Sequence, residues 1–118
     1  MNGCRFVTHD GSTLILRKFQ KDLEITKPIE IGSDVYIGLQ SLIMPGVKIE
    51  DNVIIGARSI VTANISTNSV VVGSPARKIK TIDDYFDKIS QYSLEIGHLS
   101  GQNKEKELKK IFKDFINN

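Results

Sequence analysis

The sequence predicts an all-β solenoid of about three to four coils, with one ejected loop and a C-terminal α-helical appendage. Aliphatic residues fall at every sixth position without a gap, at Ile25, Ile31, Ile37, Ile43, Ile49, Ile55 and Val61. A helix repeats its apolar face about every 3.6 residues and a strand about every two, so a strict period of six fits neither. It fits a coil in which each hexad lays one short strand and three hexads close a triangle. The flanking residues agree. Gly follows the aliphatic at 32, 38 and 56, and a small or slim residue stands four after it, at Ile29, Val35, Ser41, Val47, Val53, Ser59 and Ile65. Large aliphatics fill the prism, while small residues and glycines suit tight corners, where a positive φ is expected.

The frame extends backwards to Phe6 and Cys4, which hold the aliphatic and small positions of an earlier, partly preserved coil. It begins in mid-coil without a visible cap, so the chain reads as a shortened version of a longer protein or as one whose first coil is covered by something else. Over about residues 10–24 the pattern lapses into Gly, Ser and charged residues, the mark of a loop ejected between coils. Residues 25–78 then read as three full coils, with a one-residue slip at Asn68 and Ser69 and the last corner at Pro75. The β-helix is assigned to 1–80 and a helical tail to 81–118. Thr81, Asp83 and Asp84 form a start resembling a capping box, and Tyr85, Ile89, Tyr92 and Ile96 follow at helical spacing. Gly97 and Gly101 break this helix. A second amphipathic helix is expected over about 104–116, with Leu108, Ile111, Phe112 and Phe115 on one stripe. These helices are expected to cover a solenoid end or to bind a neighbouring subunit.

Composition narrows the function classes. The net charge is +2 over 118 residues, too small to argue for nucleic acid. Residues 1–80 hold 10 Lys and Arg against 7 Asp and Glu, whereas 81–118 hold 6 against 7. One cysteine excludes an internal disulfide and points to a reducing compartment, the cytoplasm. No apolar run nears the roughly 20 residues of a membrane span, and the N-terminus does not resemble a secretory signal.

Chemistry-bearing residues are few. His9 lies where a coil gives way to the ejected loop, and an imidazole is the side chain suited to taking a proton from a hydroxyl or amine near neutral pH. On its own the same residue reads more readily as an inert loop histidine. His98 has no such context. Two distant histidines and one cysteine cannot supply the three ligands a catalytic zinc usually needs, so no metal is expected. Arg77, Lys78 and Lys80 follow Gly-Ser-Pro-Ala and could clamp a phosphate, or be only a solvated cluster.

Four segments, 26–38, 43–49, 53–62 and 71–80, together resemble the left-handed β-helix (hexapeptide-repeat) acyltransferases, closest to the maltose, galactoside and polysaccharide O-acetyltransferases. The resemblance covers about residues 3–80. It implies a left-handed parallel β-helix, a homotrimer, and acetyl-CoA bound in a cleft between adjacent subunits. By resemblance His9 is the catalytic base and the Leu39 backbone N–H stabilises the thioester oxyanion. Tyr36 stands where the family usually has Trp near the thioester. Ala57 (backbone) and Thr62 match positions lining the pantetheine arm, and Arg77 and Lys80 those near the CoA phosphates. Ala63 departs from a frequent Lys. The acceptor implied is a sugar hydroxyl in cell-surface polysaccharide synthesis, with N-acetylation of a nucleotide-linked amino sugar, or a catalytically silent trimeric module, as alternatives. Direct transfer is favoured over an acyl-enzyme because Cys4 falls at an inward corner, where a thiol behaves as a small hydrophobe.

Overall fold

The computed structural model describes residues 3–113, and the chain divides into two compact units, Met1–Phe86 and Asp87–Asn118. The first unit is built from short strands: β1 (Arg5–Phe6), β2 (Glu30–Ile31), β3 (Val35–Ile37), β4 (Leu42–Ile43), β5 (Lys48–Ile49), β6 (Val53–Ile55), β7 (Ile60–Val61), β8 (Ser69–Gly73) and β9 (Ala76–Thr81). They lie in three sheets, ordered β1-β4-β7, β2-β5 and β3-β6-β8-β9. All pairings are parallel except β8 with β9.

The register carries the hexad logic. Leu42 pairs with Ile60, Glu30 with Lys48 and Val35 with Val53, each a step of 18 residues, or three hexads. Two steps depart from 18. Arg5 pairs with Leu42, a step of 37, so 19 additional residues leave the coil between them. Their stem is antiparallel: His9 bridges Thr26, Lys27 N–H donates to Thr8 O at 2.9 Å, and Asp10 N–H donates to Ile25 O at 3.0 Å. Ile25 therefore belongs to the loop stem, not to the coil series in which its spacing placed it. Inside the loop, α1 (Thr13–Leu16) buries Thr13 and exposes Leu14, Ile15 and Leu16.

The other departure is a step of 16. Ile65 bridges Ile49, and Val71 pairs with Ile55. The chain is thus two residues short between Val61 and Ile65, upstream of the slip expected at Asn68 and Ser69. Ile65 takes an inward aliphatic place rather than a slim one. The expected three coils over 25–78 also end early, because β9 turns back antiparallel on β8, pairing Arg77 with Val72 and Lys80 with Val70. The turn between them contains a cis Ser74–Pro75 peptide bond.

Ile43, Ile49, Ile55, Val53 and Val61 are at most 1 % exposed and form the core with Val47, Ile65 and Val71. Each such side chain contributes about 1.5–3 kcal/mol by leaving water. The first step is less enclosed: Phe6 and Ile31 are 52 % and 41 % exposed. Cys4, Ser41 and Ser59 stack at one corner, where their small polar atoms meet carbonyls. Cys4 Sγ donates to Gly38 O at 3.1 Å, and Ser41 Oγ and Ser59 Oγ donate to Gly56 O at 3.1 and 2.6 Å. Positive φ angles occur at glycines 3, 46 and 73 and at Asp34, Gln40, Asn52, Arg58 and Asn68, but not at glycines 32, 38 and 56. Those three glycines are needed instead for close approach between successive turns of chain, since a β-carbon on any of them would collide with the next turn.

α2 (Ile82–Ser90) starts as expected, with Thr81 Oγ1 accepting from Asp84 N–H at 3.1 Å and two acids in its first turn. It stops at Ser90, whose hydroxyl donates to Asp87 O at 3.1 Å, leaving Tyr92 and Ile96 outside the helix. Within the second unit, α3 (Gly101–Ile111) begins earlier than the expected 104, and none of its residues is buried. Phe115 and Ile116 lie outside the described residues.

Candidate functional site

His9 is placed by the loop stem just after β1, and it is exposed. Its Nδ1 lies 3.0 Å from Thr8 Oγ1. With Nδ1–H donating to that hydroxyl, Nε2 keeps its lone pair, and among the described residues Nε2 has no hydrogen-bond partner. Thr8 is a partner of His9 that the sequence reading missed. Asp10, next in the chain, accepts from Ser12 Oγ at 2.6 Å and Ser12 N–H at 3.0 Å. The hydroxyl bond, and then the amide bond, hold its carboxyl below the ordinary carboxylate range. The turn that carries His9 into the loop is therefore intact above that range. It loosens only as pH falls through the lowered value.

Leu39 is the second residue of a tight corner, Gly38–Leu39–Gln40–Ser41, in which Ser41 N–H donates to Gly38 O at 3.3 Å and Gln40 has φ 57°. A turn with a positive φ at its third residue leaves the second residue's N–H unused. Ala57 holds the equivalent place 18 residues on, before Arg58 at φ 57°. The two corners are joined by Arg58 N–H donating to Leu39 O at 2.8 Å. No described residue accepts from the N–H of Leu39 or Ala57, so two backbone donors stand one turn of chain apart at the same corner.

Tyr36, half exposed, projects from the face of β3 opposite the core. Across its sheet the register runs Tyr36, Ile54, Val70, Lys80. Thr62 follows β7 and is exposed, one step above Met44. Arg77 and Lys78, with Ala63, Asn64 and Ser66, line a cavity of about 210 Å³; Lys80 and Thr62 do not line it. The cation that shares this cavity with Arg77 is thus Lys78 and not Lys80; a register shift between Val70 and Val71 pairs Lys80 and Lys78 with adjacent residues of β8 and so sends them to opposite faces. A larger cavity, about 490 Å³, is lined by Glu30, Lys48, Glu50 and Asp51 among others and contains none of the expected residues. Among the described residues no cluster of His, Cys, Asp and Glu could hold a metal, and no helix is long and apolar enough to cross a membrane.

The structure brings Leu39 together with Ala57, and aligns Tyr36 with Lys80. It does not bring His9 to Leu39 within one chain. The β1-β4-β7 face separates them: Leu39 stands at the corner before β4, and His9 follows β1 in the loop stem at the other end of that face.

Residues 28–63 match the family described as Bacterial transferase hexapeptide (six repeats). Protein CapG of Staphylococcus aureus is 39% identical over 88 residues, which cover 75% of this chain and 51% of that protein. Galactoside O-acetyltransferase of Escherichia coli strain K12 is 53% identical over 57 residues, 48% of this chain and 28% of that protein. Among solved structures, a galactoside acetyltransferase in complex with coenzyme A superposes with a TM-score of 0.64 at 37% identity, covering 74% of this chain and 44% of that one. The chain spans about half the length, or less, of the relatives it matches. Its hexads, their 18-residue register and these likenesses show a hexapeptide-repeat segment over residues 28–63 and a chain similar to hexapeptide-repeat acetyltransferases.

Proposed function

We propose that this chain is an acetyl-CoA-dependent O-acetyltransferase acting on a sugar hydroxyl in cell-surface polysaccharide synthesis, working in the cytoplasm as a homotrimer. In each copy the coils wind left-handed. The observation that carries the reading is the pair of stacked N–H donors of Leu39 and Ala57, without an acceptor among the described residues. Preorganised amides at one corner suit an acyl oxygen whose negative charge grows as it is attacked. A relative that is a galactoside O-acetyltransferase and a neighbour solved with coenzyme A support the donor and the acceptor class.

In the reaction, His9 Nε2 takes the proton of the acceptor hydroxyl as its oxygen attacks the thioester carbonyl. The tetrahedral oxyanion receives the Leu39 N–H. Collapse breaks the carbon–sulfur bond, and the departing thiolate takes the proton from His9. Cys4, partly buried and bonded to Gly38 O, is turned away from this role. The separation of His9 from Leu39 along one face is the reason for a shared site: His9 of one copy would meet Leu39 of the next. Arg77, Lys78 and Lys80 supply charge for the phosphates of the donor, and Tyr36 and Thr62 line its arm. The test is release of free CoA from acetyl-CoA against a panel of sugars and amino sugars. Turnover with hydroxyl acceptors is expected, turnover only with amines would move the assignment to N-acetylation, and no release with any acceptor would refute it.

A further inference from the structure

Gln40 and Arg58 stand 18 residues apart at one corner, both with φ 57°. That conformation is strained for a non-glycine residue, and glycine would adopt it freely. Here two long side chains occupy it and bind each other: Arg58 Nε–H donates to Gln40 Oε1 at 3.0 Å. Gln40 is also held from its other side, where a β-carbon on Gly3 would come within 2.9 Å of its Cγ. The backbone already joins the two corners through Arg58 N–H and Leu39 O. The side-chain bond adds a second tie, on the turn in which Leu39 is the second residue. We propose that the Gln40–Arg58 hydrogen bond fixes the direction of the Leu39 N–H, making Arg58 and Gln40 positioning residues for acyl transfer. The proposal rests on the reading of Leu39 as the oxyanion donor.

Catalysis is sensitive to small misplacements of such a donor, whereas the fold is not. Arg58→Gly removes the tie and suits the backbone, so its melting temperature should equal or exceed that of the native chain. Its kcat should fall roughly tenfold with little change in the KM for acetyl-CoA. Gln40→Leu should do the same, the double variant should be no worse than either single one, and Arg58→Lys, which can still donate to Gln40, should recover part of the loss. Unchanged kcat in both single variants would overturn the proposal. So would a raised KM at constant kcat, which would mean that the guanidinium touches the donor itself. A second readout does not need activity: amide hydrogen exchange at Ser41, whose N–H closes the Leu39 turn on Gly38 O, should quicken in the full chain in Arg58→Gly and Gln40→Leu, and equal rates would overturn the proposal. A native protein that releases no CoA would refute the functional reading alone, and the exchange rates would still decide the fate of the pair.

Discussion

Ala57 stands so close over Gly38 that a β-carbon added to Gly38 would lie 2.7 Å from the Ala57 Cα. The atom it would strike is backbone, which cannot swing aside. Gly97 offers the opposite case, with nothing within 4 Å of its added β-carbon. Gly38→Ala should therefore destabilise the protein by about 1–3 kcal/mol, and Gly97→Ala should be close to neutral. Urea unfolding of the two variants beside the native chain checks this. Equal midpoints for all three would mean that successive turns can separate at that corner without cost.

The same contact shows what the sequence could convey. Period-six aliphatics predicted the stacking of Ile37, Ile43, Ile49, Ile55 and Val61 because the inward position of each hexad has one chemical requirement. The place of Ile25 was not legible: its spacing matches the series, yet hydrogen bonds between the two ends of the loop take it out of the coil. Ile65 sits in an inward place through a two-residue shortening that leaves no composition signal. The positive-φ corners were partly legible, since Asp34, Asn52 and Asn68 are residue types that tolerate that conformation. Arg58 and Gln40 are not such types, so their corner emerges only from the backbone. The Leu39 and Ala57 donors were unreadable from side chains, because a free N–H belongs to turn geometry and not to residue identity.

Core burial gives a second contrast. Ile55 is 0 % exposed and packed between turns of chain on both sides, while Ile31 at the first step is 41 % exposed. Ile55→Ala should cost about 2–5 kcal/mol, and Ile31→Ala less than half as much, because less apolar area returns to water. Chemical denaturation at two protein concentrations is the measurement. A cost at Ile31 equal to that at Ile55 would show that the first step is covered in solution.

The cations at the β8–β9 hairpin make a prediction about the donor. Arg77 and Lys78 share one cavity, while Lys80 stands in the row with Tyr36. Phosphate contacts are equal in the ground and transition states, so Arg77→Gln with Lys80→Gln should raise the KM for acetyl-CoA and leave saturated kcat nearly intact. Binding should weaken as salt rises, since Arg77 and Lys78 are exposed and Lys80 is only half-buried, and the double variant should lose much of that dependence. Lys78→Gln is the informative addition: a KM effect there as large as at Lys80 would place the phosphates at the cavity. Titrations with CoA and dephospho-CoA that give identical affinities for every variant would leave all three cations as solvent-facing charge only.

The last prediction follows from the distance between His9 and Leu39 along the β1-β4-β7 face. His9→Ala removes the proposed base and should lower turnover by roughly 10²–10⁴-fold. Leu39→Pro removes the proposed oxyanion donor, and the second place of a turn of this type accepts proline, so the fold should survive. Removing one such donor is worth about 10²–10³-fold in kcat. Each variant alone should therefore be nearly inactive. If the site is shared, a mixture unfolded and refolded together should regain activity. In a mixed assembly, His9 of the Leu39→Pro copy can face Leu39 of the His9→Ala copy. Sedimentation should show trimers in both cases, and the regained fraction should track the statistics of mixing. Mixed trimers with no more activity than their parents would place the base and the donor in the same chain, against the register that separates them. A stable monomer at micromolar concentration would remove the shared site altogether.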